Sequence, residues 1–226
     1  MMRLSAWVAV LMAFLFAAGA SFGAAYSLQG DAIQGGLIIG ETAPGSRVYQ
    51  DGESVRVSAA GEFLLGFSRD APATSELRIE GPDGSVTQET LAVAERDYRI
   101  QRIDGLPPSK VNPRKPEEIA RIRKDSADVG RARARDDDRQ DWGQGFIWPV
   151  KGPITGVYGS QRVLNGEPRR PHFGIDIAAP TGTPVYAPAG GIVTLVVPDM
   201  FFSGGTMIID HGHKLSSTFL HLHKMH

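Results

Sequence analysis

The sequence PHFGIDIAAPTGTPV, residues 171–185, holds two side chains that can bind a metal ion, His172 and Asp176, with Gly174 between them. In a straight strand, residues i and i+4 lie about 13 Å apart, too far for two side chains to reach one ion. The chain must therefore bend between them, and glycine bends at low cost because it has no Cβ. A helix would also bring the two residues together, but prolines flank the segment and its interior contains β-branched residues. The pattern predicts a strand with a kink at Gly174.

Three further motifs follow this stretch in order. They are residues 187–193 (APAGGIV), 207–213 (MIIDHGH) and 217–222 (STFLHL). Together with the His-x-Gly-x-Asp pattern, these motifs resemble the lysostaphin/LytM-type zinc metalloendopeptidases, a family that cuts peptide bridges in peptidoglycan. The resemblance covers the chain from about residue 145 onwards, and it implies an antiparallel-sheet metallopeptidase domain at 146–226.

The resemblance also implies the roles of individual residues. His172 and Asp176 match zinc ligands, and His221 matches a catalytic histidine that takes a proton from water or stabilises the oxyanion. Imidazole ligands favour zinc-like metals over magnesium or calcium, so Zn²⁺ is the expected cofactor and a peptidoglycan peptide the expected substrate. His211 and His213 flank a glycine and are expected to be structural.

The third zinc ligand has two candidate positions. In the family, a terminal His-x-His pair lies well after the aromatic-x-His-Leu segment, which corresponds here to residues 219–222. We therefore expect the domain to be incomplete at its C-terminus, with the third ligand beyond His226 and part of the active site missing. The alternative is a shortened site in which His223 is the third ligand and His221 is the base.

The overall composition excludes several classes of protein. Among 226 residues, Lys and Arg total 24 and Asp and Glu total 25, so the charge balance gives no indication of nucleic-acid binding. Cysteine is absent, which excludes a disulfide framework and thiolate metal sites. Any zinc ligands must therefore be His and carboxylate side chains.

Residues 1–25 have the pattern of a secretory signal peptide. Arg3 precedes an apolar run from Ala6 to Ala20, and small residues continue to Ala25. The run is shorter than the roughly twenty residues needed to cross a bilayer, so we expect cleavage between positions 20 and 25 instead of a membrane anchor. The mature chain would be periplasmic or secreted, without a membrane span.

Residues 26–105 alternate short β-prone runs with turn signals. Strands are predicted at 36–40, 47–50, 54–57, 62–66, 76–79, 86–91 and 98–100. Such spacing, with Gly, Pro and Asp between the runs, is typical of a small Ig-like β-sandwich. The segment contains no His or Cys, so we expect a spacer or docking module without chemistry.

Residues 106–145 are predicted to connect the two domains. Four prolines between 107 and 116 favour a stiff, extended entry. A helix is then predicted from Glu117 to Arg135, with acidic residues in its first turn. The run at 131–139 mixes both signs of charge and is expected to be a solvated helix end or linker. The alternative is a docking site for another envelope protein.

The second domain contains a polar segment at 160–170 that leads into His172. We expect it to form a loop at one wall of a substrate groove. Its arginines, Arg162, Arg169 and Arg170, either contact a peptide carboxylate or are ordinary solvated charges. Strands are predicted at 154–159, 183–186, 191–197 and 206–210.

The sequence thus predicts an all-β protein with a small N-terminal β-sandwich, a charged helical connector and a partial metallopeptidase domain. The expected function is that of a secreted or periplasmic zinc metalloendopeptidase that hydrolyses peptide cross-links of peptidoglycan. The alternative is a non-catalytic relative that binds the cell wall or activates an amidase. The presence of His172, Asp176 and His221 favours the enzyme, because degenerate members tend to lose them.

Overall fold

The computed structural model describes residues 23–226, and this part of the chain is built mostly from β-strands. The predicted all-β class is confirmed. The predicted signal peptide lies almost wholly outside the described residues. No helix within 23–226 combines the length and the apolar character that crossing a membrane requires.

Two antiparallel sheets form the N-terminal sandwich, with strand orders β1-β2-β5 and β4-β3-β6-β7. Side chains alternate between core and solvent, as in β6, where Leu77 and Ile79 are buried between exposed neighbours. Phe63 and Leu65 of β5 are fully buried in the same core, and burial of each such side chain contributes about 1.5–3 kcal/mol. The strands are β1 Tyr26–Gln29, β2 Leu37–Thr42, β3 Arg47–Gln50, β4 Glu53–Val55, β5 Glu62–Gly66, β6 Thr74–Glu80 and β7 Val86–Ala92.

The strand that follows the sandwich pairs with the second half of the chain. β8 (Ile100–Ile103) runs parallel to β10 (Gln161–Leu164), whereas a strand at 98–100 was expected within the sandwich. β10 turns at Asn165 and Gly166, both with positive φ, into β11 (Glu167–Pro168). The segment predicted as a polar loop at 160–170 is therefore a β-hairpin.

Two helices follow β8. α1 (Pro108–Val111) occupies the proline-rich entry, where an extended segment was expected, and α2 spans Pro116–Arg133. α2 begins at Pro116, where the missing N–H has no helical partner to lose, and Glu117 and Glu118 lie in its first turn. The predicted helix is thus present and ends two residues earlier than expected.

The charged run after α2 contacts Arg56 of the sandwich and Asp210 of the C-terminal part, although a solvated helix end or linker was expected. Arg56 of the sandwich donates to Asp136 Oδ1 over 2.5 Å and also pairs with Asp138. Arg139 binds the carboxylate of Asp210 and donates to its carbonyl over 2.9 Å. The charged run after α2 therefore links the sandwich to β14 through ion pairs.

The C-terminal part contains a two-stranded ladder and a three-stranded sheet. β9 (Ile154–Gly156) pairs with β12 (Asp176–Ile177), and β13, β14 and β15 form an antiparallel meander in that order. The meander strands are β13 Ile192–Met200, β14 Gly204–Asp210 and β15 Ser216–Leu222, and α2 packs against β13 and β14. Residues 183–186 form no strand; Pro184 lacks the N–H that a ladder needs.

Candidate metal centre

The backbone around His172 and Asp176 is tied to the segment that includes β9. Asp176 is paired with Gly156 in the β9–β12 ladder. The N–H of His172 donates to the Ser160 carbonyl over 2.9 Å, and the His172 carbonyl accepts from Gly159 N–H over 2.7 Å. The chain bends at Gly174 between them, as predicted, but only Asp176 lies within a strand, so the predicted kinked strand is shorter than expected.

The bend brings the two side chains together. His172 Nε2 lies 3.1 Å from Asp176 Oδ1. Two ligands of a tetrahedral zinc ion, each about 2.0–2.1 Å from the metal, are separated by about 3.3 Å. The observed separation is close to that value, and imidazole nitrogen and carboxylate oxygen are both zinc donors, so this pair fits two positions of a zinc site. The same distance also suits a direct His–Asp hydrogen bond.

The position of the Asp176 carboxylate depends on Gly156. A Cβ added to Gly156 would lie 2.2 Å from Asp176 Oδ2, so only a residue without a side chain leaves space for the carboxylate there. Arg162 on β10 donates from Nη2 to the same Oδ2 over 3.1 Å. The two oxygens of Asp176 thus face different partners, His172 and Arg162.

The ring of His172 is held largely in its neutral form. Burial lowers the pKa of His172 and the nearby positive charge of Arg162 lowers it further, while Asp176 opposes both. A metal ligand must be the neutral imidazole, so this environment suits coordination. Nδ1 is buried without a hydrogen-bond partner among the described residues.

His221 lies on a different sheet from this pair. It is near the end of β15, its side chain is exposed, and its N–H donates to the Ser203 carbonyl over 2.9 Å. Within residues 23–226, no cluster of three or more His, Cys, Asp or Glu side chains is arranged to hold a metal. The structure therefore joins His172 to Asp176 and does not join His221 to them.

The backbone at His221 departs from a regular strand. His221 has φ +59°, which is the left-handed region and interrupts strand alternation. β15 ends at Leu222, and the exposed His223 lies beyond it. Regular strand alternation therefore does not relate His221 to His223.

His211 and His213 occupy buried structural positions, as expected. His211 Nδ1 donates a hydrogen bond to the Gly190 carbonyl, which can only accept. His211 Nε2 accepts a hydrogen bond from Ser217 Oγ over 2.8 Å. His213 packs edge-on against Trp142 at 5.4 Å between ring centroids, and burial, followed by the charge of Arg56, lowers its pKa.

The contact of Arg162 with Asp176 was not predicted. From the sequence, Arg162 was expected either to contact a peptide carboxylate or to be a solvated charge. The two residues are fourteen positions apart, and no periodic pattern relates positions on different strands at that separation. Only the register of the hairpin with β8 and the bend at Gly174 bring them together.

Comparisons with known proteins identify the C-terminal segment. Residues 170–226 match the model of peptidase family M23. Peptidoglycan DD-endopeptidase ShyA of Vibrio cholerae is 36% identical over 70 residues, covering 27% of this chain and 16% of that protein. An uncharacterized metalloprotease of Haemophilus influenzae is 38% identical over 55 residues, covering 24% and 12%. The matched part thus spans less than a fifth of either relative.

The structural likeness extends further along the chain. A crystal structure from Pseudomonas aeruginosa, described as peptidase M23, superposes with a TM-score of 0.63 and 27% identity. The match covers 86% of this chain and 75% of that one, so it includes residues outside the segment matched by the family model. The C-terminal part of the chain is therefore similar to peptidase family M23.

Proposed function

We propose that this chain is a zinc-dependent endopeptidase that hydrolyses peptide cross-links of peptidoglycan. The proposal is carried by the approach of His172 Nε2 and Asp176 Oδ1 to 3.1 Å within the segment that matches family M23. The substrate is supported by the similarity to a relative named as a peptidoglycan DD-endopeptidase. A periplasmic or secreted location is proposed with it, because peptidoglycan lies outside the cytoplasmic membrane.

The residues of the pair suit amide hydrolysis in complementary ways. Zinc, when bound, supplies a Lewis acid that polarises the scissile carbonyl and activates water near neutral pH. His172 contributes an imidazole that its buried setting keeps neutral. Asp176 contributes a negative charge that offsets part of the charge of the ion. His221, whose side chain is exposed, is proposed to take the proton of the attacking water or to stabilise the oxyanion.

A second candidate function is cell-wall binding without hydrolysis, as in an amidase-activating relative. A catalytic zinc site normally uses three protein ligands, and the described residues bring two together. His223, the alternative third ligand considered from the sequence, is not brought to this pair among the described residues. The presence of two ligands instead of three among the described residues is the observation that supports the non-catalytic alternative.

Incubation with purified peptidoglycan separates the two functions. For an endopeptidase, we expect released fragments with cleaved peptide cross-links, identified by mass spectrometry, and loss of release with a chelator that added zinc reverses. Asp176→Asn should abolish release, whereas Asp199→Asn, a control at an exposed acid of β13, should retain it. If the protein sediments with peptidoglycan but releases no fragments, the result supports the alternative. If the protein neither binds nor cleaves peptidoglycan, both functions are rejected.

A further inference from the structure

Arg162 contacts the carboxylate of the candidate metal pair at the oxygen that does not face His172. Its Nη2 donates to Asp176 Oδ2 over 3.1 Å, while Asp176 Oδ1 lies 3.1 Å from His172 Nε2. One carboxylate is therefore held at both oxygens by two different residues. The side chains of Arg162 and Asp176 are 30% and 41% exposed, so the contact is partly shielded from water.

The strand that carries Arg162 is fixed by residues from the N-terminal half of the chain. Arg162 is in register with Gln101 of the parallel strand β8. At the hairpin turn, Asn165 exchanges two hydrogen bonds with the backbone of Leu106, at 3.0 and 2.8 Å. Arg162 thus lies on the central strand of a three-stranded sheet, and the pairing on both sides fixes the backbone from which its side chain reaches Asp176.

We propose that Arg162 is a positioning residue for the metal pair: it binds Asp176 Oδ2 and so directs Oδ1 towards the ion shared with His172. This inference rests on the proposed metallopeptidase function and assigns a role outside the segment 170–226 that matches the family model. Because β8 aligns Arg162, the segment that leaves the sandwich supports the geometry of the metal centre.

Two effects of Arg162 on metal binding oppose each other. A hydrogen-bond partner that orients a ligand typically changes metal affinity by about 10- to 100-fold. The guanidinium also carries a positive charge, which repels a cation. We expect orientation to dominate, because Arg162 contacts Oδ2, whereas Oδ1 is the oxygen that lies 3.1 Å from His172 Nε2.

The first test needs no metal. Thermal or urea unfolding of the full chain with Arg162→Gln, Asp176→Asn and both together gives a double-mutant cycle. A non-additive effect is expected, because each single change removes the same contact. Additive effects would show that Arg162 does not hold Asp176 and would overturn the inference.

The second test measures the affinity of the full chain for Zn²⁺ by competition with a chromophoric chelator, with the absorption spectrum of bound Co²⁺ as a report on ligand geometry. We expect Arg162→Gln to weaken binding by about 10- to 100-fold and to alter the Co²⁺ spectrum, and Arg162→Lys to restore part of the loss. Arg121→Gln is the matched control, because Arg121 forms a comparable pair with Asp199 at 2.7 Å on another face of the molecule.

Three results would overturn the inference. Unchanged affinity in Arg162→Gln means that the contact does not position a ligand, and tighter binding means that Arg162 acts as a competing cation. A wild-type chain that binds neither metal means that there is no site to position. Failure of the proposed function gives a different result. In that case the chain binds metal and the affinity depends on Arg162 as expected, but no fragments are released from peptidoglycan.

Discussion

Replacing Arg139 by alanine removes a guanidinium that links the connector to β14. Arg139 binds the carboxylate of Asp210 and donates to its carbonyl over 2.9 Å, and it also pairs with Asp141 at 2.6 Å and Asp137 at 3.3 Å. The side chain of Asp210 is only 3% exposed. After the substitution, Asp210 keeps one ion pair with Arg135, at 3.4 Å.

The expected cost follows from the burial of Asp210. Removing one partner of a buried ion pair destabilises a protein by about 3–5 kcal/mol, because a charge is left without compensation in a poorly solvated place. The longer contact with Arg135 and the partial exposure of Arg139 reduce that penalty. We therefore expect Arg139→Ala to lower the free energy of unfolding by about 3 kcal/mol, at the lower end of that range.

Equilibrium unfolding in urea, followed by tryptophan fluorescence, measures this change. Trp142 is a suitable reporter because it is buried in the short 3-10 helix Asp141–Gln144 that follows Arg139. Arg131→Ala is the control, since Arg131 pairs on the helix surface with Asp128, and we expect a much smaller change. Equal losses in the two variants, or a loss below about 1 kcal/mol for Arg139→Ala, would refute a buried ionic link.

Two further substitutions test the surroundings of the metal pair and the surroundings of His213. Gly156→Ala adds a Cβ that would lie 2.2 Å from Asp176 Oδ2. We expect this Cβ to displace the carboxylate and to weaken zinc binding, which a zinc titration measures. An unchanged affinity for zinc would contradict the close fit of the Asp176 carboxylate against Gly156. The pKa of His213 is lowered in the folded chain, so as pH falls the unfolded chain binds a proton at His213 before the folded chain does. The free energy of unfolding therefore decreases below about pH 6.5 and levels off below the pKa of the folded state. Asparagine tolerates the positive φ of this position. In the His213→Asn variant, the midpoint of thermal unfolding should therefore fall less than in the wild-type chain between about pH 7.5 and 5.5. The same fall in both proteins would rule out His213 as the titrating group.

Local patterns were sufficient to predict much of the fold. The sandwich strands follow from alternating side chains and turn residues, and α2 follows from Pro116 with acidic residues in its first turn. The approach of His172 to Asp176 follows from a single glycine, because two ligands four residues apart can meet only if the strand bends. Each of these inferences depends on residues close together in the chain.

The remaining features depend on residues far apart in the sequence. The parallel pairing of β8 with β10 joins segments about sixty residues apart, and a parallel partner leaves no local turn signal. The charged run after α2 has the composition of a solvated linker, and only the structure shows its ion pairs with Arg56 and Asp210. Similarly, the positive φ of His221 is not indicated by its neighbours in the sequence.

Zinc bound jointly by His172 and Asp176 can be observed directly by anomalous diffraction at the zinc edge from crystals of the wild-type chain grown with Zn²⁺. We predict a peak about 2.0–2.2 Å from both His172 Nε2 and an oxygen of Asp176, and its disappearance in Asp176→Asn. A fully ordered pair with no peak beside it, or zinc bound only at other histidines, would contradict the assignment of this pair as the metal centre.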